Sequence, residues 1–311
     1  MIARTRFGRT GLEVSRLGFG AAPIGFLKTD MAVVTRLLNE LLDAGVNVID
    51  TAAAYEGSEE MIAHAIGGRR QQFVLVSKCG NKVGELDAPA WSAELVARTV
   101  DRSLRRLKTE YLDVMLLHTC DLETLKRGEA LGALLRAREV GKVRFVGYSG
   151  DNEAAAWAAS RPQIEVIETS VNIADQNNID LVLPVARAND VGVLAKRPLA
   201  NAAWKPLRQQ RGFYGDYAKP YYERLAAMNL PIEQLMPQTP AAEAWPQLAL
   251  RFTLSFPEVH TAIVGTTSPE HAAANVAWAA RGPLPPEVLE HVRRAFRSAE
   301  QSAGVIWSGQ A

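Results

Sequence analysis

The chain has 311 residues, of which 48% are hydrophobic and 22% charged, so a large core can form and wholesale disorder is not expected. Its formal net charge is +1, and no basic run is long enough to follow a phosphate backbone, which argues against a nucleic-acid partner. No stretch of about 18 uncharged apolar residues is present, so no membrane span is predicted. The first residues lack the apolar core of a signal peptide. We therefore expect a cytoplasmic protein whose two cysteines, Cys79 and Cys120, are free thiols.

Strand-like and helix-like segments alternate along the chain. Short apolar runs predict eight strands, at residues 16–20, 46–50, 73–77, 112–117, 143–148, 164–168, 192–196 and 260–264. Helical periodicity or helix-start signals predict helices at about 31–42, 58–66, 92–107, 122–140, from 151 onward, 181–189 and 269–280. Continuous apolar runs covered by helices are typical of parallel strands that are buried on both faces.

The count and spacing of these elements predict an α/β fold, an eight-stranded (β/α)8 TIM barrel in a single domain spanning residues 1–311. A doubly wound dinucleotide-binding fold is disfavoured, because Gly18, Gly20 and Gly25 do not have the Gly-x-Gly-x-x-Gly spacing. Three segments lie outside the repeat, namely an N-terminal hairpin within residues 1–15, a long insertion at 200–242 after strand seven, and an extra C-terminal helix. Insertions that follow barrel strands lie on the catalytic face, so we expect residues 200–242 to overhang the site.

Polar side chains end three successive predicted strands. Asp50, Lys78 and His118 terminate strands two, three and four, and Tyr55 follows Asp50 by five residues. Taken singly, each has an ordinary explanation: Asp50 could cap a turn, Lys78 could extend to solvent, and His118 could be structural. Because the carboxyl ends of barrel strands carry the chemistry of this architecture, the ordered set of four favours a catalytic site.

With these motifs in strand order, the chain resembles the aldo-keto reductase superfamily over nearly its full length. The resemblance also rests on Arg9-Thr10-Gly11, Gly147-Tyr148-Ser149, Pro198-Leu199, Val264-Gly265 and Asn275. It implies an NAD(P)(H)-dependent oxidoreductase that interconverts small aldehydes, ketones or sugars with the matching alcohols. Tyr55 would be the general acid and base, Asp50 would orient Lys78, and His118 would position the substrate. We expect the Lys78 ammonium to lower the pKa of Tyr55 from about 10.

The resemblance also implies a cofactor site for NADP(H) or NAD(H). Its residues would be Gly20, Ala21, Asp50, Ser149, Glu168, Lys196, Arg197, Pro198, Leu199, Gly265, Thr266, Thr267, Ser268, His271 and Asn275. Glu168 stands where many relatives have Gln, and Lys196-Arg197 stands where many stack a Tyr on the nicotinamide. The Lys and Arg that hold the 2′-phosphate in many relatives correspond to Gly265 and His271 here. A strict preference for NADP(H) is therefore not expected.

Aromatic residues of the 200–242 insertion suggest walls for a substrate pocket. Trp204 and Tyr214 join Tyr55 and His118 as predicted substrate-binding residues, although the same aromatics could instead pack a long loop. No metal site is predicted. Two other function classes stay open, a Schiff-base lyase that uses Lys78 and a nicotinamide-nucleotide sensor with little turnover, as in family members associated with ion channels. The sequence leaves the physiological substrate and the oligomeric state open.

Overall fold

The computed structural model describes residues 2–209 and 214–310, without the side chains of residues 214–217. Strands β1 (Arg4–Arg6) and β2 (Glu13–Ser15) form an antiparallel hairpin. The remaining strands are β3 (Leu17–Gly20), β4 (Val48–Asp50), β5 (Val74–Cys79), β6 (Leu112–His118), β7 (Val143–Ser149), β8 (Val166–Ser170), β9 (Gly192–Lys196) and β10 (Thr261–Val264). These eight run parallel and close into a barrel, in which β10 pairs with both β9 and β3. The predicted barrel and its N-terminal hairpin are confirmed.

Helices surround the barrel. They are α1 (Ala22–Phe26), α2 (Met31–Asp43), α3 (Ser58–Ile66), α4 (Ala93–Leu107), α5 (Leu122–Arg127), α6 (Glu129–Glu139), α7 (Asn152–Ala159), α8 (Asn177–Leu181), α9 (Leu183–Ala188), α10 (Tyr214–Met228), α11 (Ile232–Leu235), α12 (Ala241–Leu254), α13 (Pro269–Ala279) and α14 (Pro286–Ala303). Among the described residues, none of the helices combines the length and the apolar character needed to cross a membrane.

Helix α4 illustrates how local sequence fixes these elements. Its buried face includes Leu95, Val96 and Val100 at helical spacing, and the Ser92 hydroxyl caps its start by accepting from the Leu95 N–H at 3.1 Å. Elsewhere the helix predictions were partly wrong. The segment 122–140 is two helices, because Gly128 interrupts it with a φ of 73°.

The barrel interior below the catalytic end is apolar. Because side chains alternate along a strand, every second residue points inward, and the inward residues form one cluster. Its members on the strands are Val48, Val74, Val76, Val114, Leu116, Val166, Leu194 and Ile263. Phe7 and Val14 of the hairpin belong to the same cluster, so the hairpin closes the end of the barrel where the strands begin. The packing there is tight, since a Cβ on Gly192 would lie 2.6 Å from the Phe7 ring.

The same alternation brings one residue of each strand to the opposite end. We call these inward positions at or near the strand ends the rim ring, and they are Gly20, Asp50, Lys78, His118, Ser149, Glu168, Lys196 and, just after β10, Gly265. All eight are residues for which the sequence predicted a catalytic or cofactor role. Their convergence follows from strand register and requires no special loop conformation.

The insertion after β9 packs over one side of this end. On α10, Tyr221 is fully buried and donates to Asp175 Oδ2 at 2.7 Å, and Arg224 donates to the Ala174 carbonyl at 3.0 Å. Both partners lie in the loop after β8, so the insertion overhangs that side of the rim. Tyr221 is a packing residue and not part of an aromatic wall. The Tyr214 side chain, predicted to bind substrate, lies outside the described residues.

The C-terminal tail also reaches the rim. Arg224 Nη2 donates to the Ser308 carbonyl at 2.9 Å, and the buried Trp307 packs edge-to-face against Phe296 of α14. Farther on, the Gly309 N–H donates to Asn152 Oδ1 at 2.7 Å. The tail therefore ties the start of α7 to α10 and α14.

Candidate active site

A buried ion pair forms the base of the site. Lys78 Nζ donates to Asp50 Oδ1 at 2.6 Å, to Asp50 Oδ2 at 2.7 Å and to the Thr51 carbonyl at 3.0 Å. The two residues lie on neighbouring strands, and their exposed fractions are 1% for Lys78 and 4% for Asp50. Burial alone would lower the pKa of Lys78, but the Asp50 and Glu168 carboxylates raise it above its ordinary value. Lys78 is therefore a fixed ammonium.

Tyr55 and His118 lie above this pair. Lys78 Nζ is 5.3 Å from the centroid of the Tyr55 ring, and the Tyr55 and His118 rings meet edge-to-face with centroids 5.8 Å apart. Both side chains are partly exposed, whereas the ion pair beneath them is buried. Tyr55 and His118 therefore keep some contact with solvent, whereas the ion pair has almost none.

The pKa of Tyr55 differs from the sequence expectation. Burial raises it to about 12, and the Lys78 ammonium only partly opposes that rise. The expected net lowering of the Tyr55 pKa was wrong. Burial destabilises the phenolate more than the attraction of the Lys78 ammonium stabilises it. Tyr55 consequently carries its proton at neutral pH, which is the state required of an acid.

His118 is a neutral imidazole. Burial, then the charges of Lys78 and Lys196, lower its pKa to about 3. Asn81 Nδ2 donates to the His118 carbonyl at 3.0 Å, and the Thr119 N–H donates to the Ser149 carbonyl at 2.7 Å, so the end of β6 is fixed from both sides. A neutral imidazole has one N–H to donate, so His118 can orient a substrate oxygen while it leaves proton transfer to Tyr55.

Glu168 brings a second carboxylate to Lys78. Its Oε2 lies 3.2 Å from Lys78 Nζ but outside a well-directed hydrogen bond, and no other described residue donates to this atom. Ser149, its register partner on β7, donates to Oε1 at 3.4 Å. Burial and the charge of Glu168 raise the pKa of Asp50 well above its ordinary value. The sequence indicated a cofactor role for Glu168 but not its contact with Lys78.

An ion pair of Lys196 and a hydrogen bond of Arg197 fix the end of β9. Lys196 Nζ lies 3.0 Å from Asp151 Oδ2, and Asp151 also accepts from the Ser170 N–H at 2.7 Å. Arg197, at a φ of 56°, donates to the Gln310 carbonyl of the tail. Lys196 is thus committed to an ion pair. Asp151 was missed as a site residue, although its place two residues after Ser149 at a strand end was a usable signal.

Steric contacts explain why glycine occupies two positions of the rim ring, Gly20 and Gly265. A Cβ on Gly265 would lie 2.8 Å from the Gly20 carbonyl oxygen, and a Cβ on Gly20 would lie 2.8 Å from the Ile263 side chain. The fully buried Ala21 donates its N–H to the Asp50 carbonyl at 2.8 Å. These small residues let the ends of β3 and β10 approach each other.

Helix α13 begins at Pro269, shortly after Gly265. Ser268 caps it by accepting from the His271 N–H at 3.1 Å, and Thr266 Oγ1 accepts from the Ser268 N–H at 3.1 Å. The helix start also carries an acidic residue, because Glu270 accepts from the Ser268 hydroxyl at 2.8 Å. Arg36 of α2 lies 3.8 Å from Glu270 and is the nearby cation that sequence reasoning did not identify.

Trp204 is part of a packed pair. Its ring stacks on that of Trp245 from α12 with centroids 6.0 Å apart and an interplanar angle of 7°, and both rings pack against the main core. Stacking on Trp245 is enough to explain the position of the Trp204 side chain, with no need for a bound substrate. A substrate-binding role for Trp204 stays a prediction.

Comparison with known proteins agrees with this geometry. The Aldo/keto reductase family model matches residues 16–296, and the chain belongs to that family. It is 29% identical over 287 residues to L-galactose dehydrogenase of Arabidopsis thaliana, covering 87% of this chain and 86% of the relative. It is 25% identical over 306 residues to the NADH-specific methylglyoxal reductase of Escherichia coli (strain K12), covering 87% and 91%.

A solved structure gives the same result at the level of the fold. The holo form of an aldo-keto reductase from Bacillus halodurans superimposes with a TM-score of 0.79 at 26% sequence identity, covering 95% of this chain and 96% of that chain. Together, the family match and the relatives named as oxidoreductases identify an aldo-keto reductase-type oxidoreductase.

Proposed function

We propose that the protein interconverts small carbonyl compounds and alcohols with NAD(H) or NADP(H), and that Tyr55 is the general acid and base. The observation that carries this proposal is the Lys78 ammonium, fixed by Asp50 at 2.6 Å and lying 5.3 Å from the Tyr55 ring. The names of two relatives, which specify L-galactose and methylglyoxal, support a small sugar or carbonyl substrate.

Each residue of the site has a distinct task. A bound nicotinamide nucleotide supplies the hydride for reduction or accepts it for oxidation. In the reductive direction Tyr55 gives its proton to the oxygen that becomes the hydroxyl, and His118 donates a hydrogen bond that orients that oxygen. Lys78 stabilises the phenolate that remains, and Asp50 holds Lys78. General acid catalysis of this kind typically contributes about 100- to 10,000-fold in rate.

The residues present fit a nicotinamide nucleotide. Glu168 Oε2 is a buried acceptor without a well-directed donor among the described residues, which suits the amide NH₂ of a carboxamide. Ser149 Oγ lies beside it and would be the neighbouring hydroxyl group. The capped start of α13, with Thr266, Thr267 and Ser268, offers N–H and hydroxyl donors for a phosphate. We propose dual use of NAD(H) and NADP(H), without strict preference for the latter.

The competing functions make different demands. A Schiff-base lyase needs a neutral amine, whereas Lys78 is held by three acceptors and its pKa is raised, so this alternative is disfavoured. A nucleotide sensor needs binding without turnover. Oxidation or reduction of a substrate panel at a measurable kcat would exclude the sensor.

Replacement of Tyr55 by Phe tests the proposal directly. We expect Tyr55→Phe to lower kcat for aldehyde reduction by at least about 100-fold, because the proton donor is removed. The Kd for the reduced nucleotide, measured by its fluorescence, should change little. Tyr222→Phe, which removes a hydroxyl from an exposed tyrosine on α10, is the control and should behave as wild type. Retention of more than about a tenth of wild-type kcat in Tyr55→Phe would refute the acid role.

A further inference from the structure

The charges of Asp50, Glu168 and Lys78 do not balance. Two buried carboxylates, those of Asp50 and Glu168, face the single ammonium of Lys78, at 2.6 Å and 3.2 Å. A carboxylate buried without a full complement of partners is costly, and a further positive charge nearby would relieve that cost. A further cation would therefore stabilise this arrangement most near Glu168 Oε2, which contacts Lys78 but accepts no hydrogen bond from the described residues.

The neighbouring charges do not supply this cation. Lys196 is paired with Asp151 at 3.0 Å, and Asp151 is itself fully enclosed by donors from β8 and α8. Arg197 lies farther along the same strand end, where it is partly exposed and bonded to the tail. His118 is neutral near pH 7, since its pKa is lowered to about 3. Because Arg197 is partly exposed, water screens its charge, so it offsets little of the negative charge of a buried carboxylate.

We propose that Glu168 sets the redox preference of the cofactor site, its buried carboxylate favouring the cationic ring of an oxidised nicotinamide nucleotide over the neutral ring of the reduced form. The inference rests on the proposed function, since it presupposes that the nicotinamide binds beside Glu168. An amide at this position would accept and donate hydrogen bonds equally well for both redox forms. A carboxylate adds a charge that distinguishes them.

The consequence is that the equilibrium among enzyme-bound species shifts toward the alcohol and the oxidised nucleotide, and so toward carbonyl reduction. In that direction a hydride from the nucleotide would form the carbinol C–H bond with its electron pair, while the carbonyl oxygen takes the proton of Tyr55, which a proton from water then replaces. Tighter binding of the oxidised than of the reduced nucleotide shifts the equilibrium among enzyme-bound species by the same factor, because binding and reaction form one thermodynamic cycle.

The test is calorimetric titration of the full-length protein with NAD⁺ and NADH, and separately with NADP⁺ and NADPH. Glu168→Gln keeps the size of the side chain and removes only the charge. We expect the ratio of Kd for the oxidised form to Kd for the reduced form to rise at least about tenfold in this variant, which corresponds to about 1.4 kcal/mol. Glu168→Asp, which keeps the charge, should retain a ratio close to that of wild type.

A matched control lies on the same segment. Glu165→Gln makes the identical change just before β8, at the opposite end of the barrel, where Glu165 pairs with Arg138 at 2.9 Å, and it should leave the ratio unchanged. If Glu168→Gln weakened or strengthened both redox forms equally, Glu168 would only position Lys78 and the inference would fail while the proposed function stood. If the wild-type protein bound neither form of either nucleotide, both would fail.

Discussion

Lys78 is the residue on which the charge of the site depends, because it is the counterion of both Asp50 and Glu168. We expect Lys78→Met to abolish turnover and to lower the free energy of unfolding by about 3–5 kcal/mol, since it leaves buried carboxylates without their cation. Denaturant unfolding and kcat measure the two effects. Lys78→Met combined with Glu168→Gln should recover part of the stability and none of the activity.

Asp50→Asn is the milder companion change. The ammonium keeps the Thr51 carbonyl at 3.0 Å and the Glu168 carboxylate at 3.2 Å, so kcat should fall less than in Lys78→Met. Normal turnover in Lys78→Met would reject all four catalytic assignments together, because Tyr55, Asp50 and His118 are assigned through their relation to that ammonium.

At the residue scale, the sequence predicted which side chains form the site better than it predicted what they do to each other. Asp50, Lys78 and His118 were recognisable because each ends an apolar run, and parallel strands bring their carboxyl ends to the same end of the barrel. The contact between Glu168 and Lys78 was not recognisable. It joins residues on β5 and β8, which do not pair, so it depends on how the closed barrel brings side chains across its interior.

At the element scale, we expect the start of α13 to govern the choice between NADPH and NADH. The acidic Glu270 lies in its first turn, His271 is exposed, and the nearby Arg36 is shared with Glu40 at 2.7 Å. A 2′-phosphate therefore meets no dedicated cation among the described residues of this turn, and we expect the two Kd values to differ by less than about 100-fold. Titration with both reduced nucleotides measures the ratio.

His271→Arg should move that ratio toward NADPH by about tenfold or more, since one charge-assisted hydrogen bond contributes about 1.5–3 kcal/mol. His64→Arg, at an exposed position on α3, adds the same charge elsewhere and is the control. A wild-type preference for NADPH above about 1,000-fold would show that another cation, with Arg36 the first candidate, holds the phosphate.

The elements themselves were predictable to different degrees. Strand β9 and helix α3 begin and end at the residues expected from the sequence, because short apolar runs and helix caps are local signals. Helix α12 was not predicted, and its internal Pro246 obscures the helical pattern. The position of α10 and of the tail could not be predicted, because it depends on partners such as Asp175 and Asn152, which are distant in sequence.

At the scale of the whole molecule, the barrel separates stability from chemistry. Phe7 is fully buried at the closed end and packs edge-to-face against His260 at 5.6 Å between centroids. We expect Phe7→Ala to lower the free energy of unfolding by about 3–5 kcal/mol, because it leaves a cavity under the hairpin. Thermal and denaturant unfolding measure this loss.

In contrast, kcat and the nucleotide Kd of Phe7→Ala should stay near wild type at temperatures where the variant is folded. Val140→Ala, at an exposed helix end, is the control and should change stability by no more than about 0.5 kcal/mol. A large loss of kcat in folded Phe7→Ala would mean that the two ends of the barrel are mechanically coupled.

The rim ring has a consequence for protein engineering. Each of its members belongs to a different strand and stands on a layer of aliphatic side chains that takes no part in the chemistry. Gly20 and Gly265 are closed to variation by steric contact. We expect substitutions at Ser149, Glu168 and Lys196 to leave the strand register unchanged, although those at Glu168 and Lys196 remove ion pairs with Lys78 and Asp151. We therefore expect a combinatorial library restricted to these three positions to change the cofactor and substrate preference while the aliphatic layer beneath them stays constant.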